Sequence, residues 1–428
     1  MFKSWLNRAL LRALVVTGCL ALPLAPASAA EWLVRPGESI AAAIQRASAG
    51  DTVVVEKGRY EERLRIDKPL KLIGRQRPTI AGGNQGDVIR VAAPDVTVEG
   101  LIVTGSGDSL SDQNAGIYIQ PGADRARVAN CDIAYSLFGL WIEKASDVTI
   151  ERNLITGKRD YQSAQRGNGI QLYNTKGARI IGNEISFVRD GLYIDVSHHA
   201  VFSHNRIHHV RYGAHYMNSY YNVWEYNDSH HNRGGMALME VRSQTVRHNR
   251  AWANSDHGIM LRTIQDSVVE DNVVAGNDRG FFIYDAEYNV IRRNLVVGNN
   301  VGAHLWAGST RNDVDANDFI ENRQQVRYVG SKDEPWGKKQ GNYWSNYLGW
   351  DRNGDGIGDV PYEANDLVDR LSWRHAMMKL LMNSPAVQTL RLIARQFPLL
   401  RATSVVDAQP RMHPYHSDWR KWLGQESH

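Results

Sequence analysis

A repeat of about 22 residues constrains the fold of this chain more than any other sequence feature. The pattern apolar–x–x–Asn–x–apolar recurs along the middle of the chain, in steps of 30, 22, 22, 22, 23, 22 and 23 residues. Its asparagine position is filled by Asn153, Asn183, Asn205, Asn227, Asn249, Asn272, Asn294 and Asn317. Repeats of this length are typical of solenoids, in which each coil buries its apolar face against its neighbours.

A second repeated feature is a glycine followed by apolar–x–apolar, eight residues after most of these asparagines. It occurs at Gly116, Gly139, Gly169, Gly191, Gly213, Gly235, Gly258, Gly280 and Gly302, with Cys131 in one asparagine slot. Gly169 and Gly258 fit the same frame with insertions of eight residues and one residue. In the segment 191–195 the alternation predicts a strand with Leu192 and Ile194 inward and Tyr193 outward. We expect the asparagines to form a hydrogen-bonded ladder, and the glycines to supply a turn conformation that other residues resist.

These features predict an all-β protein whose body, residues 51–349, is a right-handed parallel β-helix of about twelve coils stacked ~4.8 Å apart. Residues 31–50 are expected to cap its start, with an amphipathic helix over residues 38–49 that turns Ile40 and Ile44 to the core. The aromatic segment 341–347 is a candidate for the final coil. Cys131 is expected to be a small buried residue.

The first 30 residues have the pattern of a secretory signal peptide, with a basic start, an apolar run from Leu10 to Leu24 and small residues at 27–30. An alternative is lipoprotein processing that leaves a lipidated Cys19. Without residues 1–30 the formal charge falls from +4 to +1, which gives no electrostatic case for binding nucleic acid. Cys131 would be the one remaining cysteine, so an intramolecular disulfide is excluded.

Two features follow the repeats. Residues 350–363 resemble a calcium loop, with oxygen ligands at Asp351, Asn353, Asp355 and Asp359, although Tyr362 stands where such a loop has glutamate. Residues 364–428 are predicted to form a helical docking segment, with amphipathic helices over residues 366–382 and 385–397.

Histidine and methionine are concentrated in one part of the chain. Ten of the fifteen histidines lie between His198 and His257. Counted from the repeat glycines, His215, Met217, Met239 and Met260 are outward positions on three successive coils, with the small Ala237 between His215 and Met260. Thioether with imidazole suits the soft ion Cu(I), so these four residues are the first candidate for a copper site. The alternative is that the methionines fill gaps in packing or in an interface.

A second histidine set follows the asparagine ladder. His208 and His209 lie one coil below His230 and His231, so the two pairs are expected to stack. They are the second candidate for a metal site, or for a path along which a metal ion is transferred, since imidazole binds both copper and zinc. The alternative is that histidine suits a crowded polar turn.

The closing motifs point to a family. The segment 50–55 with Gly58 and Tyr60, and the segment 68–74, resemble β-helices of the carbohydrate-binding and sugar-hydrolase type. The run Gly341-Asn342-Tyr343-Trp344, followed by Asp355-Gly356-Ile357-Gly358-Asp359, resembles the NosD family of periplasmic copper-processing proteins. The resemblance covers nearly all of the chain after residue 30.

The resemblance implies a periplasmic accessory protein, not an enzyme. Such a protein would work with an ABC transporter made of a membrane permease and an ATPase subunit, and would touch the membrane through the permease. It would take Cu(I) from a membrane-anchored copper chaperone and pass it to nitrous oxide reductase. The C-terminal helices, with Met377, Met378 and Met382, are the candidate docking element for the permease.

A competing hypothesis is a protein that binds or cleaves acidic polysaccharide, a common activity of this fold. Such an enzyme would need carboxylates and a basic residue grouped in an outward groove. Glu143, Asp195, Glu240 and Arg262 are expected to be scattered along the coils instead.

Overall fold

The repeats fold into three parallel β-sheets that wind around one apolar core. The computed structural model describes residues 29–306, 308–364, 384–387, 389, 393 and 403–424. In these residues each coil contributes one short strand to each sheet, and every strand pairs in parallel with its equivalent in the next coil. The result is the predicted right-handed parallel β-helix.

The strands are short, most of them three to six residues long. Sheet 1 contains Glu31–Val34, Thr52–Val55, Lys71–Gly74, Thr97–Glu99, Arg127–Ala129, Thr149–Glu151, Arg179–Ile181, Val201–Ser203, Val223–Glu225, Thr245–Arg247, Val268–Glu270, Val290–Arg292 and Asp313–Asp315. Sheet 2 contains Leu64–Ile66, Ile89–Val91, Ala115–Ile119, Phe138–Glu143, Ile170–Tyr173, Asp190–Asp195, Tyr212–Met217, Gly234–Arg242, His257–Gln265, Arg279–Tyr284, Val301–Trp306 and Gln324–Val329. Sheet 3 contains Arg59–Tyr60, Thr79–Ala81, Ile102–Thr104, Asp132–Ala134, Leu154–Thr156, Glu184–Ser186, Arg206–His208, Asp228–His230, Arg250–Trp252, Val273–Ala275, Leu295–Val297, Asp318–Ile320 and Tyr343–Trp344.

The alternation within the repeat sets which side chains enter the core. Leu192 and Ile194 are 1% and 0% exposed, while Tyr193 between them lies on the outer face, as predicted. Cys131 is buried as well. Parallel stacking therefore keeps the same two positions of every coil in contact with their equivalents above and below.

The predicted asparagine ladder is present and satisfies the buried turn. The backbone N–H of Asn227 donates to Oδ1 of Asn249 at 3.0 Å, and its Nδ2 donates to the same oxygen at 2.9 Å. That Nδ2 also donates to the carbonyl of Phe202 in the preceding coil. Each amide thus links three coils, and the pattern repeats from Asn153 to Asn342.

Two further ladders were not predicted. One lies at the next corner and contains Asn232, Asn254, Asn277, Asn299 and Asn322. The other precedes sheet 1 and includes Asn289 and Asn312. The first of these ladders could have been predicted from the sequence, because an asparagine recurs five residues after the asparagine of the main ladder.

The interpretation of the repeat glycines as turn residues is wrong. The backbone at the repeat glycines does not have a positive φ; the left-handed residues include those just before the ladder asparagines, such as His204, Tyr226 and His248. A Cβ at Gly280 would lie 2.5 Å from the carbonyl oxygen of Gly302 in the next coil. Glycine is therefore required for the close approach of adjacent coils.

The N-terminal cap consists of a strand and a helix. Glu31–Val34 pairs with Thr52–Val55 and adds one rung to the twelve expected, so sheet 1 has thirteen strands. The helix Ile40–Arg46 is shorter than predicted and covers the core with Ile40 and Ile44, which are buried as expected. The Glu62 carboxylate accepts the N–H groups of Ile40 and Ala41 at the helix N-terminus.

An aromatic stack closes the other end of the core. Trp344, in the predicted final coil, stacks on Phe319 at 4.4 Å and on Tyr362 at 4.3 Å between ring centroids. The strands Glu334–Trp336, Tyr362–Glu363 and Val405–Asp407 form a small sheet beside it. These residues prevent the last coil from exposing an open edge.

Residues 403–424 differ from the predicted helical docking segment. They contain the strand Val405–Asp407 and a 3-10 turn at Trp419–Trp422, and they return to the rod. Both oxygens of the Asp318 carboxylate accept backbone N–H groups from this segment, those of Tyr415 and His416. This part of the C-terminus thus belongs to the cap of the β-helix.

Some predictions fall outside the described residues. They are the leader with Cys19, the helix over residues 366–382, and most of the helix over residues 385–397. Among the residues that are described, no helix is both long and apolar enough to cross a membrane.

We expect the last rung of the ladder to depend on Asp407. Its buried carboxylate accepts the backbone N–H and Nδ2 of Asn342 and, at 3.0 Å, Nε1 of Trp344. Asp407→Ala would leave these donors buried and unpaired, and should lower the free energy of unfolding by about 3 kcal/mol. Urea denaturation of the chain from residue 31 measures this loss.

The Asp407→Asn variant keeps a hydrogen-bond acceptor at this position but removes the negative charge. Burial raises the pKa of the Asp407 carboxyl despite these hydrogen bonds. The protein should therefore lose stability as the pH rises through that folded-state pKa, and Asp407→Asn should lack this step. Equal stability of the alanine variant and the wild type at every pH would contradict the capping role.

The close approach at the repeat glycines gives a second prediction. Gly280→Ala places a methyl group against an immobile carbonyl oxygen and should destabilise the protein by roughly 1–3 kcal/mol. Gly58→Ala is the matched control, because its new Cβ would meet only side-chain atoms, at 3.3 Å. Thermal unfolding of both variants tests this, and equal losses would argue against close coil packing as the reason for the repeat glycine.

Candidate functional site

The outer face of sheet 2 carries the chemically distinctive side chains. Its central column, one residue per coil, runs Tyr118, Trp141, Gln171, Tyr193, His215, Ala237, Met260, Phe282, His304 and Arg327. Parallel register fixes this order, since a slip by one residue would turn each side chain into the core. Aromatic residues dominate the first half of the column, and imidazole and thioether groups its middle.

The structure places the residues of the first candidate copper site on the strands and faces that the repeat predicted. His215, Ala237 and Met260 occupy one column on adjacent coils, and Met217 follows Asp195 in the neighbouring column. Met217, Met239 and Met260 are all partly exposed on this face. Ala237 is buried and small, so the surface is low between His215 and Met260.

A buried carboxylate orients His215. Its Nδ1 lies 2.9 Å from Oδ2 of Asp190, and Arg211 binds both oxygens of the same carboxylate at 2.8 and 2.5 Å. Burial tends to raise the pKa of Asp190, but the hydrogen bonds from His215 and Arg211 outweigh it and lower the pKa. Nδ1 of His215 also lies 3.2 Å from a guanidinium nitrogen of Arg211, but its contact with the carboxylate is shorter. We infer that Asp190 is ionised and that Nδ1 of His215 carries the hydrogen.

This tautomer leaves the Nε2 lone pair of His215 available. Within the described part of the chain, no hydrogen bond of Nε2 is found. An imidazole whose Nδ1–H is held by a carboxylate is the arrangement that supports metal-binding histidines in many proteins. Asp190 was not identified from the sequence; its signal is a carboxylate immediately before a repeat glycine.

The thioether groups differ in their surroundings. The hydroxyl of Tyr193 lies 3.5 Å from Sδ of Met217, and the same ring packs edge-on against His215 at 4.7 Å between centroids. Sδ of Met239 lies 3.9 Å from a guanidinium nitrogen of Arg262. That positive charge disfavours a cation beside Met239. Copper binding at His215, Met217, Met239 and Met260 stays a prediction.

His257 is a further residue of this region that sequence reasoning missed. It is 0% exposed, and neither ring nitrogen has a hydrogen-bond partner in the described residues, although Nδ1 lies 3.7 Å from Asp256. Burial lowers its pKa, so the ring is neutral near pH 7. Gly234 makes room for it, since a Cβ there would lie 2.5 Å from Nε2. Tyr212 contacts both His257 and His215.

The histidines of the second candidate metal site stack as predicted. His208 and His230 lie 5.3 Å apart between ring centroids, and His209 and His231 lie 5.9 Å apart. Within each pair the two Nδ1 atoms are close, at 2.7 Å for His208 and His209 and at 2.8 Å for His230 and His231. Two nitrogens bound to one ion in tetrahedral geometry would be roughly 3.3 Å apart. The Nδ1 atoms are thus placed to share a hydrogen.

Burial favours neutral rings in this cluster. It lowers the pKa of His230 to about 3 and also lowers that of His209. In the residues that the structure describes, no group of three or more His, Cys, Asp or Glu side chains has the geometry to hold a metal ion. Metal binding at His208, His209, His230 and His231 stays a prediction.

The loop 350–363 uses its acidic groups to hold its own backbone. The Asp351 carboxylate accepts the N–H groups of Gly354 and Gly356, and Oδ2 of Asp359 accepts that of Arg352. Asn353 and Asp355 bond to each other and to the following N–H groups. Calcium binding at Asp351, Asn353, Asp355 and Asp359 stays a prediction.

A groove of about 640 Å³ lies beside His215 on the same face. Its lining includes Trp141, Glu143, Tyr173, Tyr193 and Asp195. Glu143 and Asp195 stand in one column, two coils apart. These two carboxylates, expected to be scattered, are therefore brought into a single aromatic-walled groove.

Comparison with solved structures supports the architecture. The chain resembles the A-module of the mannuronan C-5 epimerase AlgE6 of Azotobacter vinelandii, with a TM-score of 0.54 and 13% identity over 69% of this chain and 95% of that one. It resembles a family 28 exopolygalacturonase of Yersinia enterocolitica with a TM-score of 0.52 and 10% identity, over 70% and 75% of the two chains. At such low identity these similarities establish the fold alone.

Sequence comparison is more specific. The family described as periplasmic copper-binding protein (NosD) matches residues 151–349, and a family described as a protein of unknown function (DUF1565) matches residues 33–227. A Stutzerimonas stutzeri protein named "Probable ABC transporter binding protein NosD" is 38% identical over 371 residues, 83% of this chain and 85% of that protein. A Pseudomonas aeruginosa protein of the same name is 37% identical over 83% of this chain and 86% of its own length. With identity of this level along most of both chains, the chain belongs to the NosD family.

Proposed function

We propose that this protein is a periplasmic, non-enzymatic copper carrier. It accepts Cu(I) from a membrane-anchored chaperone and, together with an ABC transporter, delivers it to apo nitrous oxide reductase for assembly of the copper centre. The observation that carries the proposal is His215, fixed by Asp190, with Met217 two residues further along its strand and Met260 two coils away in its column. The family description as periplasmic copper-binding protein supports it.

The chemistry of this patch suits a cargo ion that must leave again. Thioether sulfur and neutral imidazole nitrogen are ligands that Cu(I) prefers over carboxylate oxygen. Nε2 of His215 would hold the ion with Met217 or Met260, while Asp190 keeps the imidazole oriented. Because the thioethers lie on an open face, a partner's ligands can reach the ion.

The partner proposal rests on the relatives. Both are named as probable ABC transporter binding proteins. We propose that this chain likewise binds a transporter permease, whose ATPase subunit supplies the energy for turnover. Residues 366–400 are the candidate docking element, since the described residues after them, 403–424, are already used in capping the rod.

A second candidate function is binding of acidic polysaccharide. The groove beside His215 supports it, because Trp141 and Tyr173 offer aromatic faces to sugar rings, and Arg189 and Arg211 offer positive charge to the acidic groups of the sugar chain. The groove ends at His215, so both candidates use the same outer face of sheet 2.

Cu(I) titration against a competing chelator under anaerobic conditions tests the copper site. The chain from residue 31 should bind Cu(I), and the variant with Met217, Met239 and Met260 changed to Leu should bind it at least tenfold more weakly. Met236→Leu is the matched control, since Met236 lies in the same coils but points into the core. His215→Ala should weaken binding at least as much as the triple change.

The outcomes separate the candidates. Binding that survives the triple change but is lost on substitution of His208 and His230 would move the site to the histidine pairs. If Cu(I) does not bind at all, the copper proposal fails, and titration with oligouronides then tests the groove.

Deletion of residues 366–400 tests docking. The truncated chain keeps Asp407 and residues 403–424, so it should fold and retain Cu(I) binding. It should no longer co-purify with the transporter from detergent-solubilised membranes. Association equal to that of the full chain would contradict the role of this segment.

A further inference from the structure

Three arginines stand in one column beside the candidate copper patch. Arg189, Arg211 and Arg233 each lie two residues before a repeat glycine, on three consecutive coils. Backbone hydrogen bonds fix their register, with the N–H of Arg211 donating to the carbonyl of Arg189 at 2.7 Å. Like charges on adjacent rungs repel one another, so this column needs a source of negative charge.

The column forms one wall of a cavity of about 480 Å³. The inserted loop that contains Arg166 forms the opposite wall, and His209 lies at its edge. The remaining lining residues are Ser163, Ala164, Val188 and Val210. No carboxylate is among the residues that line this cavity.

Protein carboxylates neutralise the column only in part. Arg211 is paired with Asp190, whereas Arg233 is 63% exposed and 3.9 Å from Asp256. The guanidinium of Arg189 is half-buried and makes no hydrogen bond or ion pair within the described residues. Arg166 donates to the carbonyls of Tyr161 and Arg159, which carry no net charge.

Other arginines of the rod show the contrast. Arg247 contacts Glu225 one coil away at 2.7 Å, and Arg250 contacts Asp228 at the same distance. Such pairs compensate each positive charge with a carboxylate on the neighbouring rung. The cavity between Arg189 and the inserted loop lacks that compensation and is open to a ligand.

We propose that this cavity binds an oxyanion, a phosphate or carboxylate group, between the guanidinium groups of Arg189 and Arg233. A planar guanidinium presents two parallel N–H donors to an oxyanion, so two of them hold it at a defined position. Arg166 adds positive charge from the loop side. The oxyanion belongs either to a small free anion or to an acidic segment of a docked protein.

The proposed anion site lies next to the outer face of sheet 2, which carries the candidate copper patch. Arg189 and Arg211 also line the groove that leads to His215. An anion between Arg189 and Arg233 therefore lies beside the Arg211–Asp190–His215 contact. It is also next to His209, one of the stacked histidines.

Isothermal titration calorimetry of the chain from residue 31, at low ionic strength, tests the proposal. The probes are inorganic phosphate, citrate and hexaglutamate. At least one should bind with one-to-one stoichiometry, and Arg189→Gln and Arg233→Gln should each weaken that binding about tenfold or more. Arg179→Gln, at an exposed arginine of sheet 1, is the control and should leave the affinity unchanged.

Each outcome decides the point. Binding of phosphate or citrate identifies a small anion, whereas binding of hexaglutamate alone identifies an acidic protein segment. If no probe binds, or if both variants bind as tightly as the control, the oxyanion site does not exist. Arg233 is exposed, so its variant keeps the test valid even if Arg189→Gln does not fold.

Discussion

Stacking of identical turns through buried asparagine amides is the interaction on which the rest of this structure depends. A parallel coil leaves its turn N–H and C=O groups inside the rod, where no solvent can satisfy them. One asparagine side chain serves three coils, as Asn227 does with Asn249 and with the carbonyl of Phe202. The ladder also fixes the register, because the amide can bond only when each coil lies directly over the last.

The same constraint explains both ends of the rod. A ladder that simply stopped would leave donors unpaired, and the last asparagine, Asn342, donates instead to the buried carboxylate of Asp407. The chain therefore returns from residue 403 to complete the fold. At the other end, Glu31–Val34 and the helix Ile40–Arg46 cover the first coil.

Fixed register turns the outer face of sheet 2 into an array of side chains at one spacing. Changes of sequence at a few equivalent positions of each coil then create an aromatic groove and a thioether and imidazole patch on this face, and a column of arginines just before its strands. One buried carboxylate contacts both the imidazole patch and the arginine column. Asp190 is the shared element, since it orients His215 and neutralises Arg211 at the same time.

The sequence by itself determined the coil, the inward and outward positions, and the stacking of His208 on His230, because equivalent positions of a 22-residue repeat with a turn asparagine and alternating apolar residues stack on one another. It also predicted the columns of His215 and Met260. It did not reveal Asp190, His257 or the role of Asp407, which act on residues that are 25, 23 and 65 positions away in the chain. Nor did it give the reason for the repeat glycines, which is contact with the next coil and not local backbone conformation. Those features depend on which side chains meet across coils, and only the tertiary structure decides that.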